Sequence, residues 1–133
     1  MTDGGEIEAL VRRLCAARVA GDMGVLRRGY ADNATFRIAG SPAWGALTAP
    51  VTGHAKIMAR FESMIANLAL SDFAILDLFV DGCRPLASQR VPCGNRDAST
   101  TEIAQFLEVE HGQVVSLVEF FDTAMAMKLL GAK

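Results

Sequence analysis

The sequence predicts an α+β domain in which a curved antiparallel sheet wraps around helices. Apolar residues recur at helical spacing through most of the first half of the chain, and they alternate at strand spacing through most of the second half. A length of 133 residues fits one domain and leaves no room for a second. We therefore expect residues 1–133 to form a single domain.

The first two helices are predicted near the start of the chain. Residues 6–20 form an amphipathic pattern, and Gly21 is a plausible stop signal. Asp22 can cap a second helix that runs to Tyr30. The buried stripe of the first helix is set by four apolar residues: Ile7, Leu10, Val11 and Leu14.

A short strand, a long loop and a third helix follow. Residues 34–39 are rich in Thr, Phe and Ile, which favours a strand. Residues 40–53 contain glycines, prolines and Trp44, and a loop of this length in a compact domain is often functional. Residues 54–68 show the helical apolar stripe again, with Phe61 near its centre.

Strand patterns dominate the second half. The Asp81-Gly82 and His111-Gly112 pairs indicate tight turns, so the strands on either side of each pair should form hairpins. A short helix is expected at residues 123–130. The predicted strands cover residues 72–80, 86–91, 100–110 and 114–121.

The strand at residues 72–80 is apolar on both faces. One face must cover the helices, so the other face also needs a cover. A homodimer through the outer face of the sheet would supply it, and a second layer from the same chain is the alternative.

Composition excludes several classes of partner. The net charge of -2 gives no electrostatic basis for binding nucleic acid or an anionic membrane, and no apolar run is long enough to span a bilayer. The first six residues lack an apolar signal segment, and the three cysteines are an odd number without framework spacing, so a reducing cytoplasm is expected. The arginines near the start are expected on a solvated helix face: Arg12, Arg13, Arg18, Arg27 and Arg28.

Metal and cofactor motifs are absent from the sequence. No cluster of His, Cys and Asp has the spacing of a metal site. No glycine-rich phosphate loop or nucleophile elbow occurs. We therefore expect neither a metal nor a cofactor.

Five short segments resemble the nuclear-transport-factor-2-like, or SnoaL-like, superfamily. They read YADNATF, GHAKI, VDG, EHGQV and EFFDTA, at residues 30–36, 53–57, 80–82, 110–114 and 119–124. Together they cover nearly the whole chain in the right order. The resemblance implies the cone-shaped fold, but the superfamily includes ketosteroid isomerases, limonene epoxide hydrolases, polyketide cyclases, scytalone dehydratases and non-catalytic modules. A fold shared by so many activities does not specify a reaction.

Glu119 is the strongest candidate for chemistry. Alternation in the last strand places it on one face with Val115, Leu117 and Phe121, and this mostly apolar face should point inward. A carboxyl group in an apolar pocket suits general acid or base work, and the resemblance implies a water-activating carboxylate here in epoxide hydrolases. The alternative is a structural ion pair with a neighbouring arginine.

Arg90 is the expected partner of Glu119, because it resembles the arginine of the hydrolases' Asp-Arg-Asp arrangement. The second acid of that arrangement corresponds to Pro92, which cannot protonate an epoxide oxygen. This departure argues against the standard hydrolase mechanism.

The comparison with ketosteroid isomerases also fails at key positions. Their general base corresponds to Ile38 and their tyrosine donor to Leu14. Their second donor falls at or beside Gln105. This residue lies between Ile103 and Leu107 at strand spacing, so it should share their inward face, and its amide could still donate a hydrogen bond. Tyr30 matches a tyrosine that joins a pocket network in some relatives.

Two main hypotheses remain open. The first is a small-molecule enzyme, acting on an apolar oxygenated substrate through Glu119, Arg90, Gln105 and Tyr30. The second is a non-catalytic ligand-binding module, and a dimeric interaction domain with a vestigial pocket is a third possibility. In the first two cases the expected apolar wall consists of Leu14, Ile38, Trp44, Phe61, Leu117 and Phe121.

Overall fold

The computed structural model describes residues 4–68, 74–93 and 99–124. These residues form three α-helices, a 3-10 helix and a six-stranded sheet. The helices are α1 (Gly4–Ala20), α2 (Met23–Gly29) and α3 (His54–Leu68), and the 3-10 helix spans Pro42–Leu47. The strands are β1 (Tyr30–Ile38), β2 (Val51–Thr52), β3 (Ala74–Asp81), β4 (Arg84–Cys93), β5 (Ser99–Glu110) and β6 (Gln113–Phe120).

The strands lie in the order β2-β1-β6-β5-β4-β3. β1 and β6 pair in parallel, and the other neighbours pair antiparallel. The three helices contact the inner face of the sheet, α1 mainly through β3 and β4 and α3 mainly through β1. The predicted α+β class is therefore confirmed, with the curved sheet around helices that the pattern indicated.

Local sequence explains the start and end of the first two helices. Gly21 follows α1 with φ of 75°, a left-handed conformation that favours glycine and stops the helix. The Asp22 side chain then accepts a hydrogen bond from the Val25 amide at 3.2 Å, as the predicted cap requires. The backbone turns extended at Tyr30, so α2 runs directly into β1.

Two strands are longer than predicted, because pairing with a neighbouring strand extends them through residues that have a low strand propensity. β1 begins at Tyr30 rather than residue 34, because Tyr30 pairs with Val114 on β6 and a register shift before Thr35 accommodates the polar residues between them. β4 continues through Pro92, which lies opposite Thr100. The loop at residues 40–53 also contains the 3-10 helix and β2.

Two bulges break the strict alternation that the sequence analysis assumed. In β3 the register shifts between Ile75 and Asp77, and in β6 it shifts near Val115. An extra residue in one strand moves every later side chain to the other face. Val114 is consequently the fully buried residue at the start of β6, while Leu117 and Glu119 beyond the bulge point inward as predicted.

An aromatic cluster joins α3 to β1. The Phe61 ring lies 5.1 Å from the Tyr30 ring and 5.3 Å from the Phe36 ring, in edge-on and tilted arrangements. All three residues are buried. The cluster fixes α3 across the inner face of β1.

Some predicted features fall outside the described residues. The first two residues of the strand at 72–80, the loop residues 94 and 95, and most of the helix at 123–130 belong to this group. Among the helices that the structure does describe, none combines the length and apolar character needed to cross a membrane.

We predict that Gly29→Ala destabilises the domain. A Cβ atom at this position would lie 2.4 Å from Cδ2 of Leu14, so the packing of α1 against α2 must shift, at a cost of about 1–3 kcal/mol. Urea unfolding measures the change in the free energy of unfolding. Leu14→Ala removes the atoms that clash with the new Cβ, so Gly29→Ala should cost less in a Leu14→Ala background than in the unmodified chain. Gly24→Ala is the control, because its Cβ would meet atoms at 3.4 Å or more; equal losses at both glycines would contradict this account.

Candidate functional site

Glu119 lies at the inner face of the sheet, near the end of β6. Its side chain is fully buried, at 0% exposure. It faces Gln105 across the β5–β6 pair and lies beside Ile38 of β1. The strand alternation that pointed to Glu119 therefore places it in the interior.

Arg18 of α1 is the ionic partner of Glu119. Its Nη1 atom contacts Oε2 of the carboxylate, and the arginine is only 5% exposed. The guanidinium carbon also lies 5.1 Å from the centroid of the Phe61 ring, a cation–π contact. Burial is the largest single effect and opposes the arginine's charge, but the charge and hydrogen bond of Glu119, together with the Tyr30 and Cys15 groups, outweigh it and hold the pKa of Arg18 above its usual range.

A chain of buried hydrogen bonds leads to the same carboxylate. Gln89 Nε2 donates to the Cys15 sulfur at 3.5 Å, and the Cys15 thiol donates to Gln105 Oε1 at 3.3 Å. Gln105 Nε2 then donates to Glu119 Oε2 at 2.6 Å. Every donor points toward Glu119, so the bonds polarise one another and fix the Gln105 amide in one orientation.

Three buried polar atoms of the ion pair lack a hydrogen-bond partner within the part of the chain that the structure describes. They are Nε and Nη2 of Arg18 and Oε1 of Glu119. Buried polar groups in folded proteins are almost always satisfied. The pair therefore presents two donors and one acceptor for which the described residues supply no match.

Burial also controls two further ionisable groups beside the pair. It raises the pKa of the Cys15 thiol to about 11, against the smaller opposing effect of the Arg18 charge. It raises the pKa of the Tyr30 phenol far above its ordinary value, and again Arg18 opposes the shift. Both groups are neutral at pH 7, so the thiol is not an activated nucleophile.

The predicted pairing of Glu119 with Arg90 is wrong. Ala87 and Gln89 of β4 point inward and are buried, so alternation turns Arg90 outward, where it is exposed. Arg90 pairs across the strands with Glu102 and lines a surface cavity of about 620 Å³. The guanidinium that meets Glu119 comes from a helix instead of a neighbouring strand.

The other predicted site residues divide into two groups. Gln105 and Tyr30 are buried beside the ion pair, and four of the apolar wall residues belong to the core: Leu14, Ile38, Phe61 and Leu117. Trp44 is 37% exposed on the 3-10 helix, and Phe121 is half-buried beyond β6. The chemical roles of all these residues stay predictions.

Three residues of the cluster were missed by sequence reasoning. Arg18 was assigned to a solvated face, although Val11, Leu14 and Arg18 follow the i, i+3, i+7 spacing of a buried stripe. That spacing was the available signal. The sequence points less clearly to Cys15 and Gln89 as members of the cluster, because an uncharged residue on an inward face usually only packs in the core.

The described residues contain no group of three or more His, Cys, Asp or Glu side chains that could hold a metal ion. The cluster around Glu119 carries carboxylate, guanidinium, amide, thiol and phenol groups.

We predict that Arg18→Met is strongly destabilising. It leaves the Glu119 charge buried without its counter-ion, which typically costs about 3–5 kcal/mol. The double variant Arg18→Met/Glu119→Leu should be more stable than Arg18→Met alone, and urea unfolding measures both. Arg27→Met breaks the exposed pair with Glu62 and should cost less than about 1 kcal/mol; similar losses at Arg27 and Arg18 would overturn the assignment.

We predict a loss of stability in alkaline solution that depends on Cys15. The folded state keeps the thiol protonated to about pH 11, whereas the unfolded thiol ionises near pH 9.0, so the unfolded state binds fewer protons between these values. Stability falls as pH rises through this window, by at most about 2–3 kcal/mol from this group. Cys15→Ser should flatten the decline measured by urea unfolding between pH 8 and 11, whereas Cys83→Ser, at an exposed position, should leave it unchanged.

Comparison with solved structures shows the same fold across the chain. A proposed isomerase from Bacillus subtilis superposes with a TM-score of 0.84 at 14% identity, covering 100% of this chain and 98% of that one. A proposed ketosteroid isomerase from Kribbella flavida gives 0.74 at 19%, covering 92% and 82%, and a LEH-like epoxide hydrolase from M. tuberculosis gives 0.75 at 15%, covering 95% and 90%. Identities this low establish the fold alone.

No curated protein sequence matches the chain. The SnoaL-like domain family, however, matches residues 11–117, which include α1 from Val11 onward, α3 and almost all of the sheet. The chain therefore belongs to the SnoaL-like domain family and has its NTF2-like fold.

Proposed function

We propose that this chain is a small-molecule enzyme that performs acid/base chemistry on an apolar, oxygenated substrate at the Arg18–Glu119 pair. The observation that carries the proposal is the set of three unsatisfied polar atoms on a buried ion pair. Each such group costs about 1–3 kcal/mol when it is left without a partner. A substrate that supplies the missing hydrogen-bond partners would offset this cost. Such binding is a physical reason for the fold to retain an ion pair with unsatisfied atoms.

The unsatisfied atoms suit a substrate oxygen that gains negative charge. Arg18 offers two N–H donors from Nε and Nη2, and a guanidinium binds oxygen in a fixed, forked geometry. Donors already in place at an apolar interior site stabilise such a charge more strongly than water does. Arg18 is accordingly assigned to hold and polarise a carbonyl, epoxide or hydroxyl oxygen.

Glu119 is assigned the proton transfer. Its Oε2 atom is occupied by Arg18 and Gln105, so Oε1 is the atom left to take a proton from a substrate carbon or from a water molecule. The electron pair released from the broken bond moves toward the oxygen that Arg18 holds. Return of the same proton at another atom completes an isomerisation. In an epoxide ring opening, the water that has given its proton to Glu119 attacks a ring carbon, the bond from that carbon to the epoxide oxygen breaks with its electron pair moving to the oxygen held by Arg18, and Glu119 returns the proton to that oxygen.

Neighbouring groups would position the substrate. Tyr30 stays protonated because burial raises its pKa, so it can donate a hydrogen bond but cannot act as a base near neutral pH. The surrounding Leu14, Ile38, Phe61 and Leu117 side chains favour an apolar substrate body.

A non-catalytic ligand-binding module of the same fold is the second candidate. Its support is that Ile38 and Pro92 occupy positions where the related isomerases and hydrolases are expected to have acids. Glu119 is the one buried carboxylate among the residues whose burial is described, so these residues supply no second acid to complete either of those mechanisms. Ligand binding would then stabilise the fold without chemical change.

The test is a screen of small apolar ketones, enones, epoxides and lactones for thermal stabilisation, followed by chromatography of each hit for conversion. We predict that Glu119→Gln lowers kcat/KM for the converted compound by about 10²–10⁴-fold while it keeps measurable binding. The amide preserves the shape of the side chain, but it also removes the counter-ion of the buried Arg18. The loss of turnover therefore reports the proton transfer only in variant protein that circular dichroism shows to be folded and that still binds the compound.

Arg90→Gln is the matched control, because Arg90 is exposed and should leave turnover unchanged. Undiminished turnover in folded Glu119→Gln would refute the assigned role. Stabilisation by hits without conversion of any of them would favour the binding module.

A further inference from the structure

One edge of the buried Arg18 guanidinium is open. Its Nη1 atom contacts Glu119, whereas Nε and Nη2 have no hydrogen-bond partner within the described part of the chain. In a guanidinium group, the Nε–H bond and one N–H bond of Nη2 form a planar fork of two nearly parallel donors. The arginine therefore offers a complete two-donor edge in addition to the nitrogen that holds Glu119.

Two parallel donors select the group that can satisfy both of them. A single oxygen placed between them accepts two bent hydrogen bonds, whereas the two oxygens of a carboxyl group accept one straight bond each. A primary amide fits less well, because its nitrogen turns a donor toward a donor. The open edge of Arg18 therefore favours a ligand with a carboxyl group.

The charge balance of the interior decides how that carboxyl group is bound. Arg18 and Glu119 are the buried charged residues among those whose burial is described, and their charges cancel. An ionised carboxylate at Arg18 would bring an uncompensated negative charge into the interior, which is costly. A carboxyl group that enters together with one proton keeps the site neutral.

The open oxygen of Glu119 can accept that proton's hydrogen bond. Oε1 has no partner among the described residues, and it lies one carboxylate width from Oε2, the atom that Arg18 contacts. Two carboxyl groups held side by side share one proton, because both are not ionised at such close range. A carboxylic acid thus supplies two acceptors to Arg18 and one donor to Glu119, which matches all three open atoms.

The other described neighbours of the pair do not alter this balance. Cys15 of α1 and Tyr30 of β1 face it, and burial raises the pKa of both groups, so both are neutral near pH 7. Gln105 of β5 and Phe61 of α3 do not titrate. A proton taken up with a ligand therefore belongs to the ligand and Glu119.

We propose that the Arg18–Glu119 pair binds apolar monocarboxylic acids together with one proton, which the acid shares with Oε1 of Glu119. This inference rests on the proposed role of the pair as a small-molecule site, but it does not require turnover there. The acid occupies the atoms assigned to the reacting substrate. It therefore competes with any compound that the site converts.

The surroundings of the pair favour an acid with an apolar body. Ile38 lies beside Glu119 on the neighbouring strand, Leu117 precedes it on the same face, and Phe61 lies against Arg18. All three open atoms are covered by protein in this structure, so neighbouring side chains must move before an acid enters. Association should accordingly be slower than binding to an open cleft.

Isothermal titration calorimetry with benzoate, phenylacetate, 4-phenylbutyrate and octanoate tests the proposal. At least one of these acids should bind, and its dissociation constant should rise about tenfold for each pH unit between pH 5.5 and 7.5, because the free acid is ionised in this range. Each bound acid should take up one proton, so the binding enthalpy should vary with the ionisation enthalpy of the buffer. The sulfonate and amide analogues of the tightest acid should bind at least tenfold more weakly at pH 5.5.

Glu119→Gln separates proton sharing from simple attraction to Arg18. The variant lacks the carboxylate that shares the proton, and an ionised ligand can then serve as the counter-ion of Arg18. Acid binding to folded variant protein should therefore lose both its pH dependence and its proton uptake, and it should be tighter than in the unmodified chain at pH 7.5. Glu62→Gln, at an exposed position, is the control and should keep both properties.

The unmodified chain alone decides the question if Glu119→Gln does not fold. Failure of every acid to bind overturns this inference, and so does binding without proton uptake. Conversion of a ketone or an epoxide in the presence of either failure would leave the proposed enzyme standing. Proton-linked binding of an acid without conversion of any screened compound would support this inference and count against the enzyme.

Discussion

The buried pair of Arg18 and Glu119 is the contact on which the rest of the interior depends. It joins the first helix to the last described strand, 101 residues apart in sequence. Removing charges from water is costly, so each residue is tolerated inside only because the other is there. The pair thereby sets the position of α1 along the sheet more strictly than apolar packing alone, since sliding the helix by one turn would leave both charges buried and alone.

The hydrogen bonds around the pair make its two carboxylate oxygens unequal. Gln105 and Arg18 share Oε2, and the donor chain from Gln89 through Cys15 holds the Gln105 amide in place. Oε1 is left without a partner among the described residues. An acid whose one oxygen is anchored and whose other oxygen is presented in a fixed direction is preorganised, which is the property that proton transfer requires.

The strand residues of this arrangement, Glu119 and Gln105, could be predicted from the sequence because the alternation of a strand directly shows which residues share its inner face. Alternation with apolar neighbours was enough to bring Glu119 and Gln105 to the same inner face. The arginine partner was predicted wrongly because it rested on the family resemblance at Arg90. The alternation of β4 places Ala87 and Gln89 inward and therefore turns Arg90 outward. Arg18 was missed because a charged residue on a helix is normally solvated, and its burial depends on a partner that is remote in sequence.

The interior site and the outer face are coupled through the pleat of β5 and β6. Gln105 and Glu119 point inward, while their neighbours Phe106 and Phe120 point outward. A slip of one residue between these strands would turn the carboxylate to the outside and a phenylalanine toward the charged interior.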